Sequence, residues 1–304
     1  MYDLAIIGGG PAGVSAGVYA ARKKLKTILI TESFGGQSTV SVGIENWIGT
    51  KNISGPDLAK ALEDHLRAYA GDIVEIKTGE RVEKISKSPT GFQVKTGGSE
   101  YEAKTVLITT GSTRRKLTVP GADEFEHKGI TYCASCDGPL FAEKDVVVIG
   151  GGNAAFESAA QLLNYVKSVT LLNRSDEFKA DPSTVEKVLA HPKMKAVKNA
   201  SLKEVKGDKF VTSIVYTVDG KDIELETEGV FVEIGLVPNT NLIEDLVPLN
   251  EYKQIKVDPR TQRTEILGIW AAGDSTDGLY HQNNIAAGDA VKALEDIYLY
   301  LHAS

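Results

Sequence analysis

The only two cysteines of this 304-residue sequence, Cys133 and Cys136, are separated by two residues in the segment Cys-Ala-Ser-Cys. Random placement would give two cysteines that spacing in roughly 1% of chains of this length, so we regard the spacing as functional. Two thiols this close can interconvert between a disulfide and a dithiol, and the thiolate is the reactive form of cysteine. The pair therefore favours reversible redox chemistry.

Other roles for this segment are less well supported. A zinc site would need two further Cys or His ligands at close spacing, but the five histidines are scattered singly along the sequence. A permanent disulfide that closes so short a loop would remove little entropy from the unfolded chain. Asp137, which follows Cys136, is placed to exchange a proton with a departing thiol. The alternative for Asp137 is a turn or helix N-cap.

A glycine-rich segment near the N-terminus has the pattern of a dinucleotide site. Its parts follow in the order strand, glycine turn, helix, strand and acid: residues 4–7, Gly8-Gly9-Gly10-Pro11-Ala12-Gly13, residues 14–22, residues 27–31 and Glu32. In such a turn Gly8 allows the tight bend, Gly10 lets the backbone approach a pyrophosphate, and Gly13 permits close helix packing. Glu32 is placed to accept hydrogen bonds from a ribose.

The same pattern returns 142 residues later, which predicts a second dinucleotide site. A strand over residues 145–149 leads into a turn and a helix over 156–165; the turn residues are Gly150, Gly151, Gly152, Asn153, Ala154 and Ala155. After the next strand, Asn173 and Arg174 stand where the first copy has Glu32. A ribose 2′-hydroxyl favours a carboxylate at this place and a 2′-phosphate favours an arginine.

These repeats predict an α/β fold with two Rossmann-like, three-layer dinucleotide-binding domains. Asp274 follows a short apolar strand and Gly273, where it can bind a ribityl or ribose hydroxyl or serve as a turn or capping residue. Thr110-Gly111 closes another strand. Pro120-Gly121 and the segment 235–239 resemble paired crossings between domains. We therefore expect one domain to be formed by 1–117 and 239–304, with a second domain, 118–238, inserted in it.

Composition limits the other function classes. The 34 basic and 41 acidic side chains give a net charge of −7, which argues against nucleic acid or an anionic membrane as a partner. No stretch approaches the roughly 20 apolar residues of a membrane span, and Met1 leads directly into a strand without a basic leader segment. We expect a cytoplasmic protein with no membrane partner and no metal.

The chain resembles the low-molecular-weight, flavin-containing thioredoxin reductases over essentially its whole length. The resemblance rests on the two glycine motifs, the cysteine motif and several loops: Phe34-Gly35-Gly36-Gln37, Glu45-Asn46-Trp47, Thr110-Gly111, Cys133 to Asp137 and Ala271-Ala272-Gly273-Asp274. Other stretches are closer to the reductase half of alkyl hydroperoxide reductase flavoproteins, among them Val119-Pro120-Gly121 and Asp137-Gly138-Pro139-Leu140-Phe141.

This resemblance implies FAD in the first domain and NAD(P)H in the inserted one. The residues expected around FAD are Gly8, Gly10, Pro11, Ala12, Gly13, Glu32, Gly35, Gly36, Gln37, Asn46, Val82, Thr110, Gly111, Gly273, Asp274, His281, Gln282 and Asn283. Those expected around NAD(P)H are Gly150, Gly152, Asn153, Ala154, Ala155, Arg174 and Lys179. Cys136 would receive electrons from the flavin, Cys133 would attack the partner's disulfide, and Asp137 would be the acid/base. The resemblance also implies a homodimer and, because the thioredoxin-like extension of the hydroperoxide reductases is not found, a separate thioredoxin- or glutaredoxin-like partner.

The sequence departs from the family pattern in two places. NADPH-specific members carry His-Arg-Arg and a further Arg where this chain has Asn173-Arg174-Ser175 and Lys179, so we expect a weak preference for NADPH over NADH. His281-Gln282 replaces the Arg-Gln of many members. Two alternatives stay open. The first is a ferredoxin-dependent reductase, which the loss of arginines at the NAD(P)H site favours. The second is a flavin-binding redox sensor without turnover.

Overall fold

The structure, a computed structural model, describes residues 1–41 and 43–303. The chain divides into two compact units. Unit 1 comprises Met1–Thr113 and the chain from Val237 onward, and unit 2 comprises Arg114–Leu236. The predicted inserted domain, 118–238, begins four residues after unit 2 begins and ends two residues after it ends.

The strands, in chain order, are β1 (Tyr2–Gly9), β2 (Thr27–Phe34), β3 (Val74–Thr78), β4 (Val82–Ser88), β5 (Gly91–Thr96), β6 (Glu100–Ile108), β7 (Ser112–Arg114), β8 (Ile130–Thr131), β9 (Asp145–Ile149), β10 (Ser168–Leu172), β11 (Met194–Val197), β12 (Ser201–Gly207), β13 (Val211–Val218), β14 (Lys221–Glu226), β15 (Gly229–Val232), β16 (Leu236–Pro238) and β17 (Ile269–Ala271). The α-helices are α1 (Pro11–Arg22), α2 (Gly55–Ala70), α3 (Ala134–Asp137), α4 (Asn153–Leu162), α5 (Pro182–Leu189) and α6 (Asn283–His302). Two short 3₁₀ helices cover Gly36–Val40 and Gly138–Phe141.

Unit 1 is built on one sheet with the strand order β3-β2-β1-β6-β5-β4, and β17 also pairs with β6. The strands β3, β2, β1, β6 and β17 are parallel, whereas β4 and β5 join antiparallel. One apolar core lies between this sheet and the helices α1, α2 and α6. A second core covers the opposite face and includes Leu242, Ile243 and Val247. Burial on both faces explains the uninterrupted apolar run of β1.

Unit 2 contains a five-stranded parallel sheet with the order β11-β10-β9-β15-β8. Helices α4 and α5 cover one face, where Phe156 and Leu162 are fully buried. The antiparallel sheet β12-β13-β14 contributes Val205 and Ile214 to the core on the other face. The predicted fold class, α/β with two Rossmann-like domains, is confirmed.

The segments that connect the units, β7 and β16, pair as a two-stranded sheet. Pro120-Gly121, expected at a crossing, instead lies within unit 2, where the Pro120 carbonyl accepts a hydrogen bond from the Val205 N–H (3.0 Å). The chain therefore crosses several residues before this Pro-Gly pair. Across residues 1–41 and 43–303, no helix is both long and apolar enough to cross a membrane.

Both helices that follow glycine turns begin earlier than their sequences predict. Helix α1 begins at Pro11 rather than at residue 14, and α4 begins at Asn153 rather than at residue 156. Proline is favoured in the first turn because its missing N–H would have no helical partner there. The last residues of each glycine motif are thus the first turn of a helix, which directs backbone N–H groups toward the turn.

Candidate active site

The first glycine turn combines two tightly packed glycines with one that faces open space. Gly8 has φ +118°, and a Cβ there would lie 2.4 Å from the Thr109 carbonyl oxygen. A Cβ at Gly13 would lie 1.9 Å from the Gly8 carbonyl oxygen. Gly10, the N-cap of α1, is extended, and within the described residues no side chain caps this helix and no atom lies within 4 Å of an added Cβ. This open helix N-terminus fits a pyrophosphate.

The structure gathers most of the other predicted residues of unit 1 around this turn. The Gly35 N–H donates to the Gly9 carbonyl (3.0 Å), and Gly36 lies beside Gly10. Gln37 continues the same loop and donates through Nε2 to the Ser112 hydroxyl (3.2 Å). The loop from Gly35 to Gln37 therefore forms one wall of the open space at Gly10.

The N-terminus of α6 closes the other side of the same region. A Cβ on Gly273 would lie 3.6 Å from the Ala12 Cβ, which places Gly273-Asp274 beside the first turn of α1. His281 Nδ1 lies 3.5 Å from Asp274 Oδ1. Asn46 donates to Gln282 Oε1 (3.1 Å), so the predicted residues Asn46 and Gln282 are in contact.

The remaining predicted residues of unit 1 have different surroundings. Glu32 is exposed near the end of β2, where its nearest cation is Arg81 at 3.9 Å, and it is free to accept from a ribose. Asn283 accepts from the Ser38 hydroxyl (2.9 Å), and Thr110 and Gly111 bond to Asn239. Val82 is buried in the apolar core at the start of β4, which leaves its backbone, not its side chain, to contact a ligand.

The second glycine turn reproduces the first. Gly150 has φ +149°, and a Cβ there would lie 2.3 Å from the Glu233 carbonyl oxygen. Gly152 is the extended N-cap of α4; again no side chain in the described part of the chain caps the helix, and an added Cβ would meet nothing within 4 Å. Ala155 is fully buried, and Ala154 is exposed at the helix start.

The loop after β10 is held close to this second turn. The Lys179 N–H donates to the Gly151 carbonyl (2.7 Å), and Asn153 Oδ1 accepts from the Asp181 N–H (2.8 Å). Asn173 is buried and donates through Nδ2 to the carbonyls of Ser175 (2.9 Å) and Glu177 (2.8 Å). Asn173 therefore anchors the loop by donating hydrogen bonds, which a carboxylate could not do. Arg174 is exposed beside it.

Cys133 and Cys136 form a disulfide on the short helix α3. Cys133 caps this helix, and the Cys136 N–H donates to Cys133 Sγ (3.2 Å). The Thr131 hydroxyl in β8 donates to Asp137 Oδ2, and Ser135 donates to Gln161 Oε1 (2.7 Å) in α4. The disulfide is thus fixed to the parallel sheet and to helix α4 of unit 2. Asp137 ends α3 and caps no helix through its side chain within the described chain.

Two polar residues of this region escape sequence reasoning. Thr131, which orients Asp137, gives no signal beyond its place in an apolar strand. Glu233 is partly buried directly after β15 and accepts a hydrogen bond from the Ser158 hydroxyl (2.6 Å). Burial raises the pKa of Glu233 to about 7, although Ser158 and Arg114 act in the opposite direction. An acid after the apolar run Val230–Val232 is the available signal. The described residues contain no group of three Cys, His, Asp or Glu that could hold a metal.

The two dinucleotide folds and the disulfide together define an oxidoreductase. Residues 2–290 match the family described as pyridine nucleotide-disulphide oxidoreductase, and the chain belongs to that family. Both open helix N-termini fit the two dinucleotides, FAD and NAD(P)H, that this family implies.

Relatives of the chain carry different names. It is 42% identical over 303 residues to a protein named NADH dehydrogenase from Bacillus subtilis (strain 168), covering 99% of this chain and 58% of that one. It is 39% identical over 304 residues to an alkyl hydroperoxide reductase protein of Escherichia coli (strain K12), again covering 99% and 58%. The chain thus spans somewhat more than half the length of these curated relatives.

Solved structures match over the full chain. Thioredoxin reductase from Streptococcus pyogenes MGAS5005 is 35% identical with a TM-score of 0.90, covering 100% of this chain and 99% of that one. Thioredoxin reductase from Giardia duodenalis is 34% identical with a TM-score of 0.91, covering 99% and 98%. The resemblance drawn from the sequence motifs is confirmed.

Proposed function

We propose that the protein transfers electrons from NAD(P)H through FAD to the Cys133–Cys136 pair, and from there to the disulfide of a thioredoxin-like protein. The observation that carries this proposal is the disulfide itself, which is anchored to the same sheet and helix as an open nucleotide turn. A disulfide kept only for stability has no need of this arrangement. The names of the solved relatives support a thioredoxin-like acceptor.

The residues of unit 1 fit FAD as the resident cofactor. The turn at Gly10 would hold the pyrophosphate of FAD, and Glu32 would bind the adenosine ribose. Asp274 and Gln282 would contact the other half of FAD, beyond the pyrophosphate. When bound, FAD supplies the two-electron chemistry that links a hydride donor to a disulfide. In unit 2, the turn at Gly152 would hold the pyrophosphate of NAD(P)H.

The thiol chemistry requires two exchange steps. Two electrons and two protons convert the Cys133–Cys136 disulfide to a dithiol. The Cys133 thiolate then attacks one sulfur of the partner's disulfide, which forms a mixed disulfide and releases one partner thiol. Cys136 next attacks Cys133 Sγ, which re-forms the internal disulfide and releases the second partner thiol. The net result is a reduced partner and a reoxidised enzyme.

The chain supplies groups that assist these steps. The Cys136 N–H, which donates to Cys133 Sγ, stabilises negative charge on the attacking sulfur. Asp137 is next to the pair in sequence and is oriented by Thr131, so it can deliver the proton that a departing thiolate needs. Cys133 and Asp137 are both partly exposed, as a reaction with another protein requires.

We infer a weak preference for NADPH. Arg174 is exposed and Lys179 is held against the glycine turn, so two cations are available for a 2′-phosphate, and no acid stands at position 173 to repel it. Charge-assisted contacts at an exposed site discriminate weakly, which leaves room for NADH. Stopped-flow reduction of the bound flavin by each nucleotide measures this preference.

Substitution of the cysteines tests the proposal. The Cys136→Ser variant should keep its flavin and its reduction by NAD(P)H but lose turnover with thioredoxin- and glutaredoxin-like proteins. The Ser201→Ala variant, altered at the exposed first residue of β12 in the same unit, is the control and should retain turnover. Continued turnover in Cys136→Ser would contradict the proposal.

The same experiments separate the alternatives. A ferredoxin-dependent enzyme predicts no anaerobic bleaching of the flavin by either nucleotide. A redox sensor predicts slow, stoichiometric oxidation and no sustained nucleotide consumption with any disulfide protein. We also infer a homodimer from the family resemblance, which light scattering of the flavin-loaded protein tests directly.

A further inference from the structure

Glu233 is a partly buried acid at the edge of the second nucleotide turn, and the thiol chemistry above does not use it. It follows β15, whose Val232 is paired with Ile149 at the end of β9. Its carbonyl oxygen occupies the space that a Cβ on Gly150 would need, and its carboxyl oxygen Oε1 accepts from Ser158 (2.6 Å) on α4. Glu233 therefore lies where β9, β15 and α4 meet.

The strand order of the unit 2 sheet indicates where a ligand binds relative to Glu233. The chain continues from β9 to β10 and β11 on one side, whereas β15 lies on the other side of β9. Ligands of open parallel sheets bind in the crevice at such a reversal of strand order, outside the carboxyl ends of the strands. The crevice between β9 and β15 is that place in unit 2, and the Gly152 turn is at its edge.

The direction of the dinucleotide follows from the loop after β10. The residue after the second strand of this fold marks the adenosine ribose, and Asn173 with Arg174 occupies that position. With the pyrophosphate at the start of α4, the nicotinamide half must extend the opposite way, across β15. Glu233 is the acidic residue that directly follows β15.

We propose that the Glu233 carboxylate, held by Ser158, lies beside the nicotinamide half of the bound nucleotide and stabilises the positive charge of the oxidised ring. This inference rests on the proposed function, since it requires unit 2 to bind NAD(P)H. Loss of a hydride, two electrons and one proton, converts the neutral reduced ring to a cation. A carboxylate nearby binds the cation more tightly than the neutral ring, which favours hydride donation.

The charged groups around Glu233 set the sign of its pH dependence. Burial and the Glu157 charge raise its pKa, the Ser158 hydrogen bond and Arg114 lower it, and together they bring it to about 7. The carboxylate fraction therefore increases through neutral pH. Binding of the oxidised nucleotide should tighten from pH 6 to pH 8, whereas binding of an uncharged analogue of the reduced nucleotide should not.

Calorimetric titration of the oxidised, flavin-loaded protein tests this difference. The two ligands are NAD⁺ and its 1,4,5,6-tetrahydro derivative, which has an uncharged ring and cannot donate a hydride; NADP⁺ and its derivative replace them if NADPH proves the better donor. Glu233→Gln should weaken binding of the oxidised nucleotide about tenfold at pH 8, as expected for one charge contact, and leave the analogue within about twofold. Ser158→Ala should move the pH transition of oxidised-nucleotide binding upward, since the hydroxyl stabilises the carboxylate.

The control is Glu228→Gln, an exposed acid just before the opposite end of the same strand, which should change neither affinity. Wild-type protein that binds neither ligand would contradict the proposed function, and this inference with it. Wild-type binding of both ligands with the same pH dependence would overturn the inference alone, and this result needs no variant. Equal weakening of both ligands in Glu233→Gln would also overturn it, because it would indicate a purely structural link between β15 and α4.

Discussion

The two glycine turns of this chain share a backbone and differ in the side chains around it. In each, a glycine, Gly10 or Gly152, directly precedes a helix that no side chain of the described residues caps. In each, the first glycine is packed against the carbonyl of the residue after a neighbouring strand, Thr109 in unit 1 and Glu233 in unit 2. The backbone thus provides the same anion-binding geometry twice.

The side chains at equivalent positions have different chemistry. Thr109 donates its hydroxyl to the Ile7 carbonyl (2.8 Å) and carries no charge, whereas Glu233 is a partly buried acid with a raised pKa. At the end of the second strand, unit 1 has the exposed carboxylate of Glu32, and unit 2 has the buried amide of Asn173. The shared backbone fits a dinucleotide in each unit, and we propose that the different side chains select which dinucleotide binds and in which charge state.

The largest expected effect comes from filling either turn. The extended backbone at Gly10 and Gly152 accepts a β-branched residue, and a Cβ there would meet no described atom within 4 Å. Gly10→Val should abolish flavin binding, by more than about a thousandfold (about 4 kcal/mol), because the side chain occupies the pyrophosphate space. Gly152→Val should retain flavin and lose binding of NAD(P)H. Absorbance of the purified proteins and nucleotide titration measure both outcomes.

The other glycines of the motif are the matched controls for this prediction. Gly8→Val and Gly150→Val would place a side chain against a carbonyl oxygen at a positive φ, so they should destabilise the fold itself. A Gly152→Val protein that still binds NAD(P)H with wild-type affinity would show that the two turns do not share a function.

The second-largest expected effect is a pH dependence of the free energy of unfolding, and it arises from unit 2 alone. Because burial raises the pKa of Glu233 from 4.5 to about 7, the folded protein retains a proton that the unfolded chain releases between these values. The free energy of unfolding should therefore fall as pH rises through this range, by at most about 3 kcal/mol from this group. Glu233→Gln removes the effect, so its stability relative to the wild type should increase from pH 4.5 to pH 8.

Denaturant titrations of the wild type, Glu233→Gln and the exposed control Glu228→Gln at both pH values measure this difference. A stability difference between wild type and Glu233→Gln that does not change with pH would mean that Glu233 has an ordinary carboxyl pKa. The side chains of Glu233 and Thr109 would then differ in shape but not in their effect on the pH dependence of stability.

The smallest effects are expected at the ribose positions, Glu32 and Arg174, and each substitution should affect a different ligand. Glu32→Gln should weaken flavin binding by up to about tenfold, because one charge-assisted hydrogen bond is replaced by a neutral one. Arg174→Ala should reduce the affinity for NADPH by a similar factor and leave that for NADH unchanged, since only NADPH has a 2′-phosphate. Equal loss of both nucleotides in Arg174→Ala would place this side chain elsewhere in the site.

Much of this architecture can be predicted because its signals are local. The order of strand, glycine turn, helix and strand is continuous in sequence, so both nucleotide folds can be predicted from their motifs. The predicted helix starts are three residues late, because Pro11 and Asn153 resemble turn residues although they form the first turns of α1 and α4. The proximity of Cys133 and Cys136, which form a disulfide, follows from their spacing alone.

The positions that cannot be predicted depend on contacts between segments distant in sequence. Glu233 lies 75 residues from Ser158, and only the pairing of β15 with β9 brings it to the nucleotide turn. In the sequence pattern Asn173 only replaces an acid, whereas in the fold its amide anchors the loop over residues 175–177. A composition or spacing argument contains neither fact, because both depend on strand order and on which way a side chain is buried.

The proposed function requires that electrons from NAD(P)H reach the Cys133–Cys136 disulfide. The most direct measurement is anaerobic addition of two equivalents of NADH or NADPH to the flavin-loaded protein, followed by alkylation with iodoacetamide and peptide mass spectrometry. If the proposed function is correct, Cys133 and Cys136 are both alkylated after nucleotide addition and neither is alkylated without it. A reduced flavin beside an intact Cys133–Cys136 disulfide would contradict it.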